Sequence, residues 1–476
     1  MTTVATALQG IAPHSRDRTA QALRLWPVAA ITVAAVLVMS LPNLADPFIR
    51  FDDYPALLAQ PELFWGKTLH EGRWINYLWH LRSVVTPAWM NFAVYQVLWA
   101  VLAAALAAAA MGRDGRVWYA TVLALFILVA PPATLISLWF NTLIPGLGIV
   151  ALYAVLGCRL SIGTHRALLP VFVILSFWAY TTYPLILLAV CLVRTERHSL
   201  RDLIGLCVLF VVSFAAAILL TYTLNWQVHG VFGVPLDDWR QATPAADLSG
   251  MIANLPILAE TLSFLMVKFS FMFTPAAYFH VAMLVGATLV LIRHAPREAL
   301  YLHAGLWLGM ALMVLQVLKL GVVAPSRSFL FVWIFYAVIV VRAAALLGRT
   351  PGFADRMARN FTLLIVLSYM VHTFSLYTIY RPWQAETRAM ARAINAAEGP
   401  VLVYGDVTSL STAKAVGLLS ERALAFRMEQ MTGQRIVLCQ TAPDQCAKAE
   451  DSGAPVFRVE VATTGAQTRL RYPHGD

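Results

Sequence analysis

The sequence predicts a mainly α, polytopic membrane helix bundle carrying a small C-terminal α/β domain outside the membrane. At about 20 apolar residues per crossing, the bundle has about 11 spans. Three observations predict it. Of 476 residues, 59% are hydrophobic and 13% charged, against about 45–50% and 25% in a soluble domain. The mean hydropathy is +0.69. The apolar runs stop near residue 380, and residues 381–476 return to a soluble composition. This excludes a soluble multi-domain chain, and with it disordered, collagen-like, coiled-coil and small disulfide-scaffold readings.

Apolar runs place the spans at 25–41, 89–111, 117–136, 138–157, 168–180, 183–193, 203–225, 276–292, 299–318, 328–347 and 361–380. Segments 168–180 and 183–193 are short and split by Thr181-Thr182-Tyr183-Pro184. They form two short spans or one re-entrant hairpin, and either keeps the parity. The stretch 250–273 contains Glu260 and Lys268 and reads as an amphipathic segment on the outer surface.

Charge sets the orientation. The connections 1–24, 112–116, 158–166, 194–202, 293–298 and 348–360 hold 15 Arg, no Lys and 6 acidic residues. The long segments 42–88 and 226–275 hold 6 basic against 9 acidic residues, and the tail holds 11 against 10. The net charge of +10 is therefore a positive-inside bias rather than a nucleic-acid footprint, for which no basic-aromatic patch is present. Arg16, Arg18 and Arg24 precede the first span, and Pro42-Asn43 follow it without a small-residue cleavage site, which reads as an uncleaved signal-anchor. The domain reading is a cytoplasmic segment 1–24, a transmembrane bundle 25–380 with an outer loop 42–88, and an outer α/β domain 381–476.

In the tail, PWQAETRAMARAINAAEG reads as an amphipathic helix, PVLVYG as a buried strand, 411–431 as helix, RIVLC as a strand, and PVFRVEV and QTRLRY as strands around a TTG turn. No phosphate loop, nucleotide fingerprint or internal repeat is present. Cys158, Cys191 and Cys207 lie at or within spans, whereas Cys439 and Cys446 lie in the tail. On the outer side a Cys439–Cys446 disulfide is the natural reading, with free thiols or a metal pair as the alternatives.

The residues that bear chemistry gather in the first outer loop, FDDYPALLAQPELFWGKTLHEGRW. Adjacent carboxylates at a membrane surface are costly unless hydrated, paired or used. Asp52 and Asp53 read either as helix caps before Pro55 or as a carboxylate that takes a proton from a hydroxyl nucleophile. Asp52 is assigned as the base, because Asp53 directly precedes Tyr54-Pro55 and suits a cap. An amphipathic helix is expected over about 73–84.

An aspartate pair just after the first span, followed by Gly72-Arg73-Trp74 before an amphipathic helix, resembles the serotype-converting glucosyltransferase II family of bacterial membrane enzymes in the GT-C superfamily. The YTTYP break at 180–184, the PSRSFLF segment at 325–331 and the outer tail fit the same layout. Family loops carry an Arg shortly after the aspartates, whereas here Arg50 precedes them. The resemblance implies a GT-C-like bundle in the bacterial inner membrane, with its N-terminus cytoplasmic and its tail periplasmic. It implies a polyprenyl-phosphate sugar donor such as undecaprenyl-phosphate glucose, and a glycan acceptor such as the O-antigen of lipopolysaccharide. A donor synthase and a flippase in the same pathway are implied by that chemistry.

The leaving phosphate needs positive charge, and the outer-side candidates are Arg50, Arg73, Lys268, Lys319, Arg327 and Arg381. Arg327, in the short loop before the span at 328–347, ranks first and Arg73 second. Each has a plainer reading as a headgroup anchor or snorkelling side chain among membrane lipids. Trp74 and Tyr183, with Tyr180, Trp178 and Trp139, are candidates to line the sugar site or are simple interfacial aromatics. No firm cofactor is expected. An optional divalent metal would rest on Asp52 and Asp53 together, and His70, His80, His280 and His303 lack metal spacing. Asp237 and Asp238 read as a solvated turn. The competing functions are a lipid-linked glycan flippase and a surface-polysaccharide polymerase or ligase. The first would show paired halves with broken spans and the second a larger central outer loop than 226–275.

Overall fold

The computed structural model describes residues 13–472 apart from 59, 83, 113–115, 195–198, 271–273, 398, 454 and 465–466. The side chains of 13–24, 267–270, 274 and 464 also lie outside the described set, so Arg16, Arg18, Arg24 and Lys268 do too. Helix α1 (Pro13–Leu44) leads into the first loop, which folds as a 3-10 turn (Phe51–Ala56), α2 (Glu62–Glu71) and α3 (Trp74–His80). Next come α4 (Ala88–Met111), α5 (Val117–Leu128), α6 (Pro131–Ile136), a 3-10 turn (Ser137–Trp139) and α7 (Phe140–Gly157). Helices α8 (Ile162–Ala167), α9 (Leu169–Ala179), α10 (Pro184–Val193) and α11 (Leu200–His229) complete the first half. The second half holds α12 (Leu248–Ala253), α13 (Leu255–Ser270), α14 (Thr274–His294), α15 (Pro296–Leu320), a 3-10 turn (Ser326–Phe329), α16 (Leu330–Leu347) and α17 (Phe353–Thr378).

Among the described residues, eight helical stretches are long and apolar enough to cross a membrane; they lie in α1, α4, α6–α7, α11, α14, α15, α16 and α17. Three of the expected spans are shorter helices: α5, α9 and α10 have 12, 11 and 10 residues. The run expected over 117–136 breaks after Leu128 because Pro131-Pro132 cannot continue a helix and instead start α6. The helix expected over 73–84 ends at His80.

Helices α4 and α16 are buried nearly all round and form the centre of the bundle, whereas α11 and α14 keep much of their apolar surface exposed, as lipid-facing helices do. The alanine-rich end of α4 allows that central position, since small side chains let helix backbones approach. Gly305 and Gly309 do the same where α15 crosses α16: a Cβ at either would lie 2.5 Å from the Phe335 or Phe331 ring.

Contacts sort the connections into two ends. At one end, Arg50 donates to the Gly417 carbonyl (2.6 Å), Arg427 to Asp46 (2.7 Å) and Arg240 to Glu71 (3.2 Å). The first loop, the 230–254 segment and the tail therefore meet. At the other end, Arg166 grips both carboxylate oxygens of Asp202 (2.6 and 2.9 Å), Arg194 donates to the Leu160 carbonyl and Arg342 pairs with Glu298.

The tail is a small α/β unit built from α18 (Arg381–Asn395), β1 (Val401–Tyr404), α19 (Ser411–Ala415), α20 (Arg422–Thr432), β2 (Ile436–Leu438), α21 (Pro443–Asp451), β3 (Phe457–Thr464) and β4 (Gln467–Arg471). The strand order is β2-β1-β3-β4, with β1 parallel to β2 and β3, and β3 antiparallel to β4. The single helix expected over 411–431 is two, divided around Gly417 at φ +62°. Cys439 and Cys446 are joined by a disulfide between β2 and α21. Phe48 and Leu138 belong to the same core cluster as Trp383, Met390 and Val401, so the tail and the first loop share one hydrophobic core.

Candidate active site

Local rules shape the first loop. Gly72 adopts φ +66°, ends α2 and turns the chain into Arg73 and α3. A Cβ there would meet Thr221 Cγ2 at 2.8 Å. On α2, Phe64, Lys67, Thr68 and Glu71 share one face at helical spacing.

The 3-10 turn sends the two aspartates to different partners. Asp53 is fully buried and accepts the backbone N–H of Asn141 (2.9 Å), the side-chain amide of Asn141 (2.9 Å) and the backbone N–H of Thr142 (2.7 Å). Those backbone groups are unpaired donors in the first turn of α7. The N-cap residue of α7 is Trp139, whose side chain makes no cap, so Asp53 caps that helix from 88 positions away. Burial pushes the Asp53 carboxyl up to about 6, against the pull of these donors.

Asp52 is partly exposed, at 29% of its side chain. One oxygen takes the Trp139 indole N–H (2.6 Å) and the other the Lys67 ammonium (2.8 Å). Burial acts to raise this carboxyl, but the charge and hydrogen bond of Lys67, the indole bond and Arg73 together hold it below the ordinary carboxylate range. The same Trp139 ring carries two guanidiniums: Arg327 lies 4.6 Å and Arg50 5.6 Å from its centroid. Among the described residues neither forms an ion pair with a carboxylate. Burial lowers the proton affinity of Arg50, and the neighbouring Arg327 charge acts in the same direction. Two cations thus share one indole ring without a direct ion pair among the described residues, and the nearby carboxylate, Asp52, acts on Arg50 through its charge alone.

No protein-family model matches this chain, and no curated protein is significantly similar to it.

The remaining candidates divide. Arg73 is held by Glu71 (2.6 Å), which Arg240 also contacts (3.2 Å), and stacks on Tyr180 at 5.0 Å. Arg73 thus has a carboxylate partner, shared with Arg240, which Arg50 lacks among the described residues. Trp74 is buried, donates to Asn225 (3.0 Å) and meets Trp65 edge-on, so it braces α3 against α11 rather than presenting a free sugar platform. Tyr183 is buried against Tyr180 and closely approaches Gly146 of α7. Lys319 donates to the Ala245 carbonyl and pins the 230–254 segment. Arg381 is exposed at the start of α18.

An optional divalent metal does not fit the aspartate pair. Both Asp53 oxygens are taken by α7, and Asp52 faces Lys67 and Trp139. Among the described residues no group of three or more His, Cys, Asp or Glu could hold a metal ion. Asp237 lies near His70 (3.3 Å) and accepts from Trp239 (3.2 Å). His80 stacks on Phe64, and His280 bonds Tyr336 and Tyr369.

Sequence reasoning did not single out Lys67 as a partner of Asp52, because nothing in the helical pattern of α2 links position 67 to position 52. It also gave Trp139 no role beyond an aromatic lining, because nothing local links position 139 to position 52.

Proposed function

We propose that this chain is an inverting membrane glycosyltransferase of the GT-C type. It moves a sugar, glucose by the resemblance of its first loop, from a polyprenyl-phosphate donor to a surface glycan such as O-antigen. The observation that carries the reading is the Trp139 assembly: Asp52 on the indole N–H, with Arg50 and Arg327 at the ring and, among the described residues, no carboxylate ion-paired with either. Asp52 accepts the proton of the acceptor hydroxyl as its oxygen bonds to C1 of the sugar. The C1–O bond to phosphate breaks, and the electron pair goes to a phosphate oxygen whose new charge faces the two guanidiniums. Asp53 is committed to α7, so the second aspartate is not free to act as a nucleophile, which supports a single displacement that inverts the anomeric centre.

The donor's lipid tail lies in the bilayer, so it reaches the site sideways between helices at the end where the loops gather. Eleven crossings fit the contacts. The first loop and the tail share one end, which requires an odd total, and α5 supplies it while the α9–α10 pair leaves parity unchanged. The arginine distribution favours the outer side for this end, and the resemblance of the first loop suggests the periplasmic face of a bacterial inner membrane. The test is transfer by purified protein in lipid nanodiscs. The reading expects glucose to move from undecaprenyl-phosphate glucose to the surface glycan with no nucleotide present, and none to move from a nucleotide sugar alone. Transfer from the nucleotide sugar, or none from the lipid donor, rejects it.

A further inference from the structure

The proposed base is occupied in this structure. Its Oδ2 accepts from Lys67 Nζ at 2.8 Å and its Oδ1 from Trp139 Nε1 at 2.6 Å. A carboxylate in a charge-assisted hydrogen bond to an ammonium is a poor acceptor for an alcohol proton, because accepting it means giving up that bond. The two partners differ in kind. Trp139 is fixed, with Arg50 and Arg327 packed on its ring and its backbone at the start of α7. Lys67 is carried from α2 on a four-carbon stem, its side chain 19% exposed and its ammonium 5.0 Å from the Phe64 ring centroid. Among the described residues Asp52 is its one hydrogen-bond acceptor. The unpaired guanidiniums that would seat a phosphate lie just across the indole.

We infer that Lys67 is a movable counter-ion, paired with Asp52 in the free protein and drawn onto the donor phosphate when the donor binds, which frees Asp52 Oδ2 for the acceptor hydroxyl. This rests on the proposed reading of the site and adds to it an order of events. The donor phosphate, bearing one negative charge, enters beside Arg50 and Arg327 and takes the ammonium. The acceptor O–H then gives its proton to Asp52, the acceptor oxygen bonds to C1, and the C1–O(phosphate) bond breaks with its electron pair on phosphate. Lys67 remains an ammonium throughout and now faces a leaving group with an extra charge. When the lipid phosphate departs, Lys67 returns to Asp52 and the proton passes to water. A carboxylate armed only when the donor is present wastes no reaction on an empty site.

Asp52 also feels Arg73, Glu71, Arg50 and Asp53, and these contacts are the same in the variants that test the idea. The acid limb of kcat/KM reports Asp52 in the free enzyme, and that of kcat reports it in the donor complex. The donor is a phosphodiester and does not titrate near neutral pH. In Lys67→Gln, the kcat/KM limb should move to higher pH, while the kcat limb stays where it is in the parent, since Lys67 has already left Asp52 in that complex. Binding of undecaprenyl phosphate should weaken roughly 10-fold, the loss of one charge-assisted bond. Lys67→Arg should restore the separation of the limbs and most of the binding, and it covers the case in which the Gln variant folds poorly. If both limbs move up together in Lys67→Gln, the lysine stays on Asp52 throughout and the switch is overturned, with the glycosyltransferase reading intact. If neither limb moves, Lys67 is merely structural, and the switch is again overturned. If the parent protein neither binds undecaprenyl phosphate nor transfers sugar, the reading of the site falls and the switch with it.

Discussion

Replacing Asp53 with alanine separates the two aspartates by what each costs when lost. The carboxylate satisfies three donors in a fully buried site. Each donor left unpaired there costs about 1–3 kcal/mol. Against this, the variant escapes the cost of burying a charge, which a rise from 3.8 to about 6 sets at about 3 kcal/mol near neutral pH. At the middle of that range the three donors outweigh this gain, and the net expectation is a loss of about 3 kcal/mol at pH 7. Asp53→Asn keeps one accepting oxygen and should lose about 1–2 kcal/mol. The pH dependence carries a sign of its own. A carboxyl whose folded value lies above its unfolded value holds its proton more tightly when folded, so its contribution is fully present below about pH 4 and is lost as pH rises to about 6. The gap between parent and alanine variant should therefore be larger at pH 4.5 than at pH 7. Unfolding in mixed detergent micelles at both pH values measures it. A variant as stable as the parent, or a gap that widens with rising pH, would show that Asp53 does not cap α7 as a buried carboxylate.

Other expectations follow from the same contacts. Arg327→Ala should weaken undecaprenyl-phosphate binding about 10–100-fold, and Arg327→Lys should recover only part because the planar fork is lost; Arg73→Ala should instead lower stability, since Glu71 loses the shorter of its two arginine contacts and keeps only Arg240, with binding titrations and melting curves separating the two. Trp139→Phe keeps a ring for the guanidiniums but removes the N–H to Asp52, so donor binding should persist while transfer slows about 10-fold, the scale of one charge-assisted bond. Cys439→Ser opens the disulfide and should cost the tail about 2–3 kcal/mol, read by local proteolysis at 439–446, with donor binding unchanged; mass spectrometry of unreduced parent protein should find neither thiol free.

The membrane class and the tail strands were legible because each rests on local patterning: long apolar runs for the helices, short apolar runs for β1 and β2, and alternating runs around a turn for β3 and β4. The breaks were harder. The Pro131-Pro132 pair divides an apolar run whose composition reads as one span, and Gly417 divides a stretch whose periodicity reads as one helix. In the site, the position of the aspartates after the first span marked the loop, and Pro55 pointed Asp53 towards a cap. The helix it caps was hidden, because an 88-residue separation leaves no sequence pattern. Charge matching was hidden for the same reason. Arg73 ranked ahead of Arg50 by its motif, with no sign of the Glu71 and Arg240 contacts beside it, and Lys67 became visible only when α2 set it against Asp52.

The central claim is that Asp52 takes the proton from the acceptor in a sugar transfer from a lipid phosphate. The most direct measurement is the single-turnover rate of glucose transfer from undecaprenyl-phosphate glucose by Asp52→Asn, taken beside its melting temperature and its affinity for undecaprenyl phosphate. Asparagine keeps one accepting oxygen for the two donors Lys67 and Trp139 and cannot take a proton, so stability should fall by about 1–2 kcal/mol with donor binding near that of the parent, while the rate falls by about 10²–10⁴. A folded, donor-binding Asp52→Asn that transfers glucose at the parental rate would contradict the account.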